Sequence, residues 1–191
     1  MIVWAVRHVA PIGKYGVTQL CTVMATPSRA AFEAAMNAIA FLEQRAKKGI
    51  KFSASGNRIP VFMVDASNKP DPNDGKCHAG FTGHLANGPL VAKSFKLKHC
   101  GLSSEQNEYM GLTACLRAVV WLRQLLGEIE RHDMIREPTV VYGDNIQANR
   151  LCKEHFVTSG NQHILMPYHW NREVIEAKMA AIHWVQTTHN I

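Results

Sequence analysis

Between Ser103 and Gly127 the chain contains no proline, and its apolar residues recur at helical spacing: Leu112, Cys115, Leu116, Val119, Leu122 and Leu126. Steps of three and four residues put one stripe of a helix against a core. Ser103 suits the N-cap, and Gln106 three residues on completes a capping-box pattern. At about 100° per residue, Glu108 falls near the middle of the stripe, one turn before Leu112. Glu105 falls at its margin, in line with Arg123, and reads as a solvated first-turn carboxylate favoured by the helix dipole. Glu108 is the anomaly. A carboxylate on a low-dielectric face is costly unless something positive meets it. The position reads either as a salt bridge or frayed turn, or as a metal ligand.

Other stretches carry a period of two or none. VFMVDAS (61–67) is a short continuous apolar run ending on Asp65, which suits a central strand covered on both faces. HAGFTGHL (78–85) and LVAKSFKL (90–97) alternate, and Asn87-Gly88 between them predicts a hairpin turn. TVVYGDN (139–145) is a second apolar run ending in an acid, Asp144. A short helix over 145–154, a helix over 167–180 and a last strand, AIHWVQTT (181–188), complete the series. The order of three strands, helix, strand, helix, helix, strand predicts a mixed sheet with helices packed on it. Residues 1–52 differ. Thr26 reads as an N-cap and Pro27 as N1 of an alanine-rich helix that runs to Lys47–Lys48 and stops at Gly49. The polar, turn-rich SASGNRIP (53–60) marks the boundary.

Composition narrows the class. With 191 residues, 47% of them hydrophobic, the chain can bury one sizeable core with an appendage. A net charge of +6 favours an anionic partner. Five scattered cysteines without a C-x-x-C pair argue against a disulfide framework or closed zinc site and for a reducing compartment. No apolar run approaches a membrane span, and Met1 is not followed by a signal-peptide pattern.

The chemistry concentrates in acids. Asp65 and Asp144 end buried-type strands and Glu108 starts a buried-type helix; sites of open α/β sheets form at the carboxyl ends of strands. Three acids converging there would repel unless cations were present, and hard oxygen ligands select Mg²⁺ or Mn²⁺ over zinc. The ten histidines are mostly isolated. His78, His84 and His183 sit in strand patterns and read as structural, and Trp121 and Trp184 read as core. Asp71 and Asp74 lie in a Pro/Gly/Asn loop and read as a solvated turn. Lys93, Lys96, Lys98 and His99 alternate along the third strand and its exit. They read equally as protection of an edge strand or as a phosphate-contacting rim. Arg45, Lys47 and Lys48 read as complements to a helix C-terminus.

VDAS, SSEQNEYMGL, WLRQLL, YGDN and QHILMPYHWNRE, in that order, resemble the ribonuclease H domain of copia-type LTR retrotransposon polyproteins. Residues 1–52, through AVRHVA, the proline-started helix and GIKF, are similar to the tail of the preceding reverse transcriptase. The polymerase's Y-x-D-D is absent, so polymerisation is excluded in this chain. The resemblance implies an α/β fold: a ribonuclease H-like mixed five-stranded sheet over 60–191, flanked by helices, with a mainly helical appendage over 1–52. It implies that Asp65, Glu108 and Asp144 are catalytic and hold two Mg²⁺ or Mn²⁺ ions about 4 Å apart. The implied reaction cleaves the RNA strand of RNA–DNA hybrids during reverse transcription, leaving a 5′-phosphate and a 3′-hydroxyl. Ser103, Ser104 and Asn145 would reach 2′-hydroxyls, with Lys96 and Lys98 on phosphates and His189 at the place of a product-release histidine. His163, Tyr168, His169 and Arg172 match the family's downstream motif, while Leu165 stands where it usually keeps an acid. The implied partners are the hybrid and the reverse transcriptase portion of the same polyprotein, in the cytoplasm or a virus-like particle. The family's fourth acid lies in a helix beyond the last strand, and this sequence stops at TTHNI. The expectation is therefore a domain lacking that helix, with a loosely held second ion. A non-catalytic nucleic-acid-binding or assembly module, from a truncated or decayed element, is the alternative. A cellular ribonuclease H is a third candidate, opposed by residues 1–52.

Overall fold

The computed structural model describes residues 2–56, 58–71, 74–98, 101, 103–151 and 165–186. Its described elements are α1 (Ile2–His8), a 3-10 turn (Pro11–Gly13), α2 (Lys14–Thr22) and α3 (Arg29–Arg45). There follow β1 (Val61–Ala66), β2 (His78–Leu85), β3 (Gly88–Lys96), α4 (Ser104–Glu128), a second 3-10 turn (His132–Met134) and β4 (Thr139–Gly143). α5 (Ile146–Leu151), α6 (Leu165–Glu176) and β5 (Ala180–Trp184) close the series. The five strands form one sheet in the order β3-β2-β1-β4-β5. β1, β2 and β3 pair antiparallel, while β4 runs parallel to β1 and β5 parallel to β4. This is the mixed sheet that the pattern predicts.

α4 is built as its sequence dictates. The Ser103 hydroxyl accepts from the Gln106 amide at 3.4 Å, and the apolar stripe from Leu112 to Leu126 is buried. That stripe packs on alternate residues of the central strand, Phe62 and Val64, together with Phe81, Val141 and Ile182. Tyr109, Leu112 and Leu116 are at most 1% exposed, so this is the hydrophobic centre of the molecule. The side chains of β1 that point the other way, Met63 and Asp65, are half-buried.

The hairpin between β2 and β3 departs from expectation by one residue. Leu85 pairs with Gly88, so the two-residue loop is Ala86-Asn87, with φ of 50° and 64°. Both values are positive, as a type I′ turn requires. Gly88 serves a different need: a Cβ there would lie 2.6 Å from Phe52 Cδ1 and 2.7 Å from the Lys51 carbonyl. The chain before β1 passes too close to the start of β3 for any side chain.

The N-terminal helices form a small layer of their own, with Val6 and Val17 buried. α2 lies against β3, and the Gln19 amide donates to His78 Nε2 at 3.0 Å. The cap of α3 falls two residues later than Thr26-Pro27: Ser28 is extended and its hydroxyl accepts from Ala31 at 3.1 Å. The helix ends at Arg45, and Gly49 takes its left-handed φ of 54° beyond an intervening turn.

Trp121 and Trp184 are corrected from core to surface, at 55% and 53% exposed. Trp121 lies on the solvent side of α4's stripe. Trp184 ends β5, where the sheet stops covering it, and its indole donates to the Asp144 carbonyl at 2.9 Å. Among the described residues no helix is long and apolar enough to cross a membrane.

Candidate metal centre

Three elements deliver the acids to one place. In the parallel pairing of β1 with β4, Val64 lies beside Gly143, so Asp65 and Asp144, one residue on, stand side by side. α4 crosses β1, and its second turn carries Glu108 toward them. One oxygen from each of Asp65, Glu108 and Asp144 lies within 4.8 Å of the others, and all three residues are half-buried. None of the three is in an ion pair among the described residues. The salt-bridge explanation of Glu108 is thereby removed.

The electrostatic consequence is large. Burial, then the negative charges of Asp65 and Asp144, push the Glu108 carboxyl from 4.5 up to about 8, opposed only by the Ala66 amide. Burial and then Asp144 raise Asp65 as well. Asp144 Oδ1 is buried with no hydrogen-bond partner among the described residues. Three oxygen donors that repel one another, one of them unsatisfied, are compatible with a divalent cation. Histidine and cysteine are absent from the group, which disfavours a softer metal.

Two of the supports, Asn107 and Asn149, are residues that the sequence does not single out, and the third, Trp184, is one that it reads as core. The Asn107 side chain, 0% exposed, accepts from the Gly101 amide at 2.8 Å and donates to Asn68 Oδ1 at 3.1 Å. It pins the first turn of α4 beside Glu108. Asn149 donates to the Gly143 carbonyl at 3.1 Å, and Trp184 holds the next carbonyl, that of Asp144. The one sequence signal for the two asparagines is negative: asparagine is an unexpected residue on a buried face.

The other residues singled out by the sequence are scattered around the acids or away from them. Ser103 is the α4 cap, Ser104 is exposed beside it, and Asn145 follows Asp144 at the start of α5. Lys98 is exposed. Lys96 is already engaged: its ammonium sits 2.6 Å from Asp71 and 2.9 Å from Asp74. The Asp71 side chain is only 8% exposed, so the loop expected to be a solvated turn is a clamp on Lys96. Glu105 is half-buried rather than solvated. His169 is exposed and lies 3.3 Å from Arg172, which also pairs with Glu176 at 3.4 Å. His99, His163 and His189, and the side chains of Leu165 and Tyr168, lie outside the described residues.

No family model matches the chain. It is similar to the retrovirus-related Pol polyprotein from transposon RE1 of Arabidopsis thaliana, 26% identical over 190 residues, covering 97% of this chain and 13% of the polyprotein. It is also similar to that from transposon TNT 1-94 of Nicotiana tabacum, 28% identical over 138 residues, covering 71% of this chain and 10% of the polyprotein. The chain thus spans about an eighth or less of the curated relatives it matches. Among solved structures, LC11-RNase H1 isolated from compost by a metagenomic approach superposes with a TM-score of 0.51 at 14% identity. That match covers 70% of this chain and 88% of the other. The fold is that of ribonuclease H. A second structure of LC11-RNase H1, in complex with RNA/DNA hybrid, superposes with a TM-score of 0.50 at 12% identity over 69% of this chain and 88% of that one. The ribonuclease H-like sheet accounts for the placement of the acids, and the relatives of the chain are retrovirus-related Pol polyproteins of plant transposons.

Proposed function

We propose that this chain is a metal-dependent endonuclease that hydrolyses the RNA strand of RNA–DNA hybrids in reverse transcription of a retrotransposon. Residues 60–191 form its ribonuclease H-like domain, and residues 1–52 are the tail of the reverse transcriptase of the same polyprotein. The observation that carries the reading is the meeting of Asp65, Glu108 and Asp144 within 4.8 Å on a ribonuclease H fold.

In this reading Asp65, Glu108 and Asp144 would hold two divalent ions, Mg²⁺ or Mn²⁺. Bound there, such ions would supply a water of lowered pKa and charge to neutralise the reacting phosphate. The protein's own work is placement. The β1–β4 register fixes Asp65 and Asp144 on one side, α4 brings Glu108 from the other, and the Ala66 amide orients the carboxylates. Trp184 and Asn149 fix the backbone on which Asp144 is mounted. No side chain here is an activated nucleophile, so a direct displacement without a covalent intermediate suits the site. Ser103, Ser104 and Asn145 border the acids and are suited to 2′-hydroxyl contacts, which separate RNA from DNA in the minor groove.

The test is a gel assay with either strand of a hybrid labelled, in Mg²⁺ and in Mn²⁺, on the wild type and Asp144→Asn. Cutting of the RNA strand alone, abolished in Asp144→Asn, is the expected result. A wild type that binds hybrid and cuts neither strand in either metal replaces the hydrolase by a non-catalytic binding module.

A further inference from the structure

α3 is the longest helix of the N-terminal layer, and it buries none of its residues. One side of it is small and covered: Ala31, Ala35, Ala38 and Leu42 recur at steps of four and three and are half-buried. The fit there is close, for a Cβ at Gly13 would lie 3.1 Å from Leu42 Cδ2 and 2.9 Å from Val6 Cγ1. The bulk of the helix lies on another side. Arg29, Phe32, Met36, Ile39 and Glu43 follow one another at steps of three, four, three and four. At about 100° per residue they fall within about 80° of arc, which makes them one packing seam. All five are exposed, Phe32 by 66% and Met36 by 50%.

A helix with one covered seam and one bare apolar seam is built for a second partner. The ends of the bare seam say which. Arg29 opens it and Glu43 closes it, about 21 Å apart along the axis at about 1.5 Å per residue. Opposite charges at opposite ends complement the same seam turned round. Laid antiparallel on a copy of itself about a two-fold axis near Met36, the seam sets Phe32 of each copy over Ile39 of the other. Arg29 of each copy then comes beside Glu43 of the other, and the two Met36 side chains, unbranched and adaptable, meet at the centre. A parallel copy would instead set Arg29 on Arg29 and Glu43 on Glu43. In the single chain Arg29 turns to Glu33 at 3.1 Å, but both side chains are largely in solvent. Such a pair contributes little and yields readily to another acid. Glu43 is in no ion pair among the described residues.

We propose that this seam of α3 is an interface between two copies of the chain, an antiparallel helix pair about a two-fold axis near Met36, with Arg29 of each copy on Glu43 of the other. A contact of this kind uses the same patch twice and closes on itself, so the assembly stops at two. The strip is about 21 Å long and one helix wide, smaller than the about 800 Å² a side of a standard interface. The dimer is therefore a weak one, with a Kd on the order of 10 µM. The seam contributes no residue to the acid site, so the proposal stands apart from the hydrolase reading.

Sedimentation equilibrium from about 1 to about 200 µM, spanning that Kd, tests it. The wild type is expected to pass from monomer to dimer across this range. Met36→Asp, which sets two like charges against each other at the axis, is expected to stay monomeric throughout. Arg29→Glu and Glu43→Arg each turn two attractions into two repulsions, and each should raise the Kd about tenfold. The double variant Arg29→Glu/Glu43→Arg restores both pairs with their signs exchanged, and should return to within about threefold of the wild type. That rescue belongs to a second copy in this register, since unspecific apolar association has no reason to recover. All these positions are exposed, and far-UV circular dichroism checks that the helices are kept. A wild type that is monomeric at about 200 µM overturns the dimer and leaves the seam to another surface, such as the reverse transcriptase portion of the polyprotein. A dimer that Met36→Asp leaves intact, or single reversals that the double variant does not rescue, overturns the interface.

Discussion

Replacing Glu108 by glutamine keeps the shape of the site and removes one of its three repelling charges, so the metal-free protein should gain stability in a defined pH window. The unfolded carboxyl ionises near 4.5 and the folded one near 8. Between those values the folded state binds more protons than the unfolded state, and stability falls as pH rises. Below the window Glu108 contributes nothing; above it the whole penalty is present. Taken in full, the interval from 4.5 to about 8 corresponds to about 5 kcal/mol. Glu108 is only half-buried, so solvent screens part of this, and about 2 kcal/mol is the expected size.

The assay is urea unfolding in EDTA at about pH 5 and about pH 8.5. The two proteins should be nearly equal at the lower pH, and Glu108→Gln should be more stable by about 2 kcal/mol at the higher. His78 titrates in the opposite sense: burial lowers its pKa from 6.5, so stability rises with pH as its unfolded counterpart deprotonates. That contribution is common to both proteins and cancels in their difference. Adding Mg²⁺ at pH 8.5 should restore the wild type, by about 2.7 kcal/mol at a hundred times its Kd, and should do much less for Glu108→Gln. If both proteins follow the same pH dependence in EDTA, the acids are not coupled as their geometry requires.

Other consequences are separable by experiment. Asp144→Asn should keep or raise the melting temperature without metal, because it removes a charge whose Oδ1 has no described partner, and should abolish hybrid cleavage. Asp71→Ala leaves Lys96 without its better-buried partner and should cost about 2 kcal/mol in urea unfolding, while leaving the salt slope of hybrid binding unchanged. Gly83→Ala puts a Cβ 2.6 Å from Phe62 Cε1 and 2.7 Å from Val91 Cγ1, and should cost about 2 kcal/mol or more, read as a lowered urea midpoint. Asn107→Ala frees the Gly101 amide and Asn68. It should destabilise by about 2 kcal/mol and weaken Mg²⁺ binding, measured by calorimetry, through the displaced first turn of α4.

The acids were legible because each is fixed by a regularity of the chain itself. Asp65 and Asp144 terminate apolar runs, Glu108 interrupts a helical stripe, and parallel pairing then puts strand ends together. The cations obey no such rule. Lys93 and Lys96 lie three residues apart on one strand, so alternation sends them off the backbone in opposite directions. Lys96 shares the face of its register partner His78 and meets Asp71 from 25 residues away. Lys93, on the edge strand, lies over the Phe95 ring at 5.1 Å and stays within the field of Lys14. Which lysine is neutralised was decided by a loop whose return path no period encodes. Trp184 fails for a related reason. An aromatic residue at a strand end reads as core, yet β5 is an edge strand, and an edge leaves its last ring a polar task, here the Asp144 carbonyl. Local period thus predicts what lies on a covered face, whereas long-range closure decides which charges remain free.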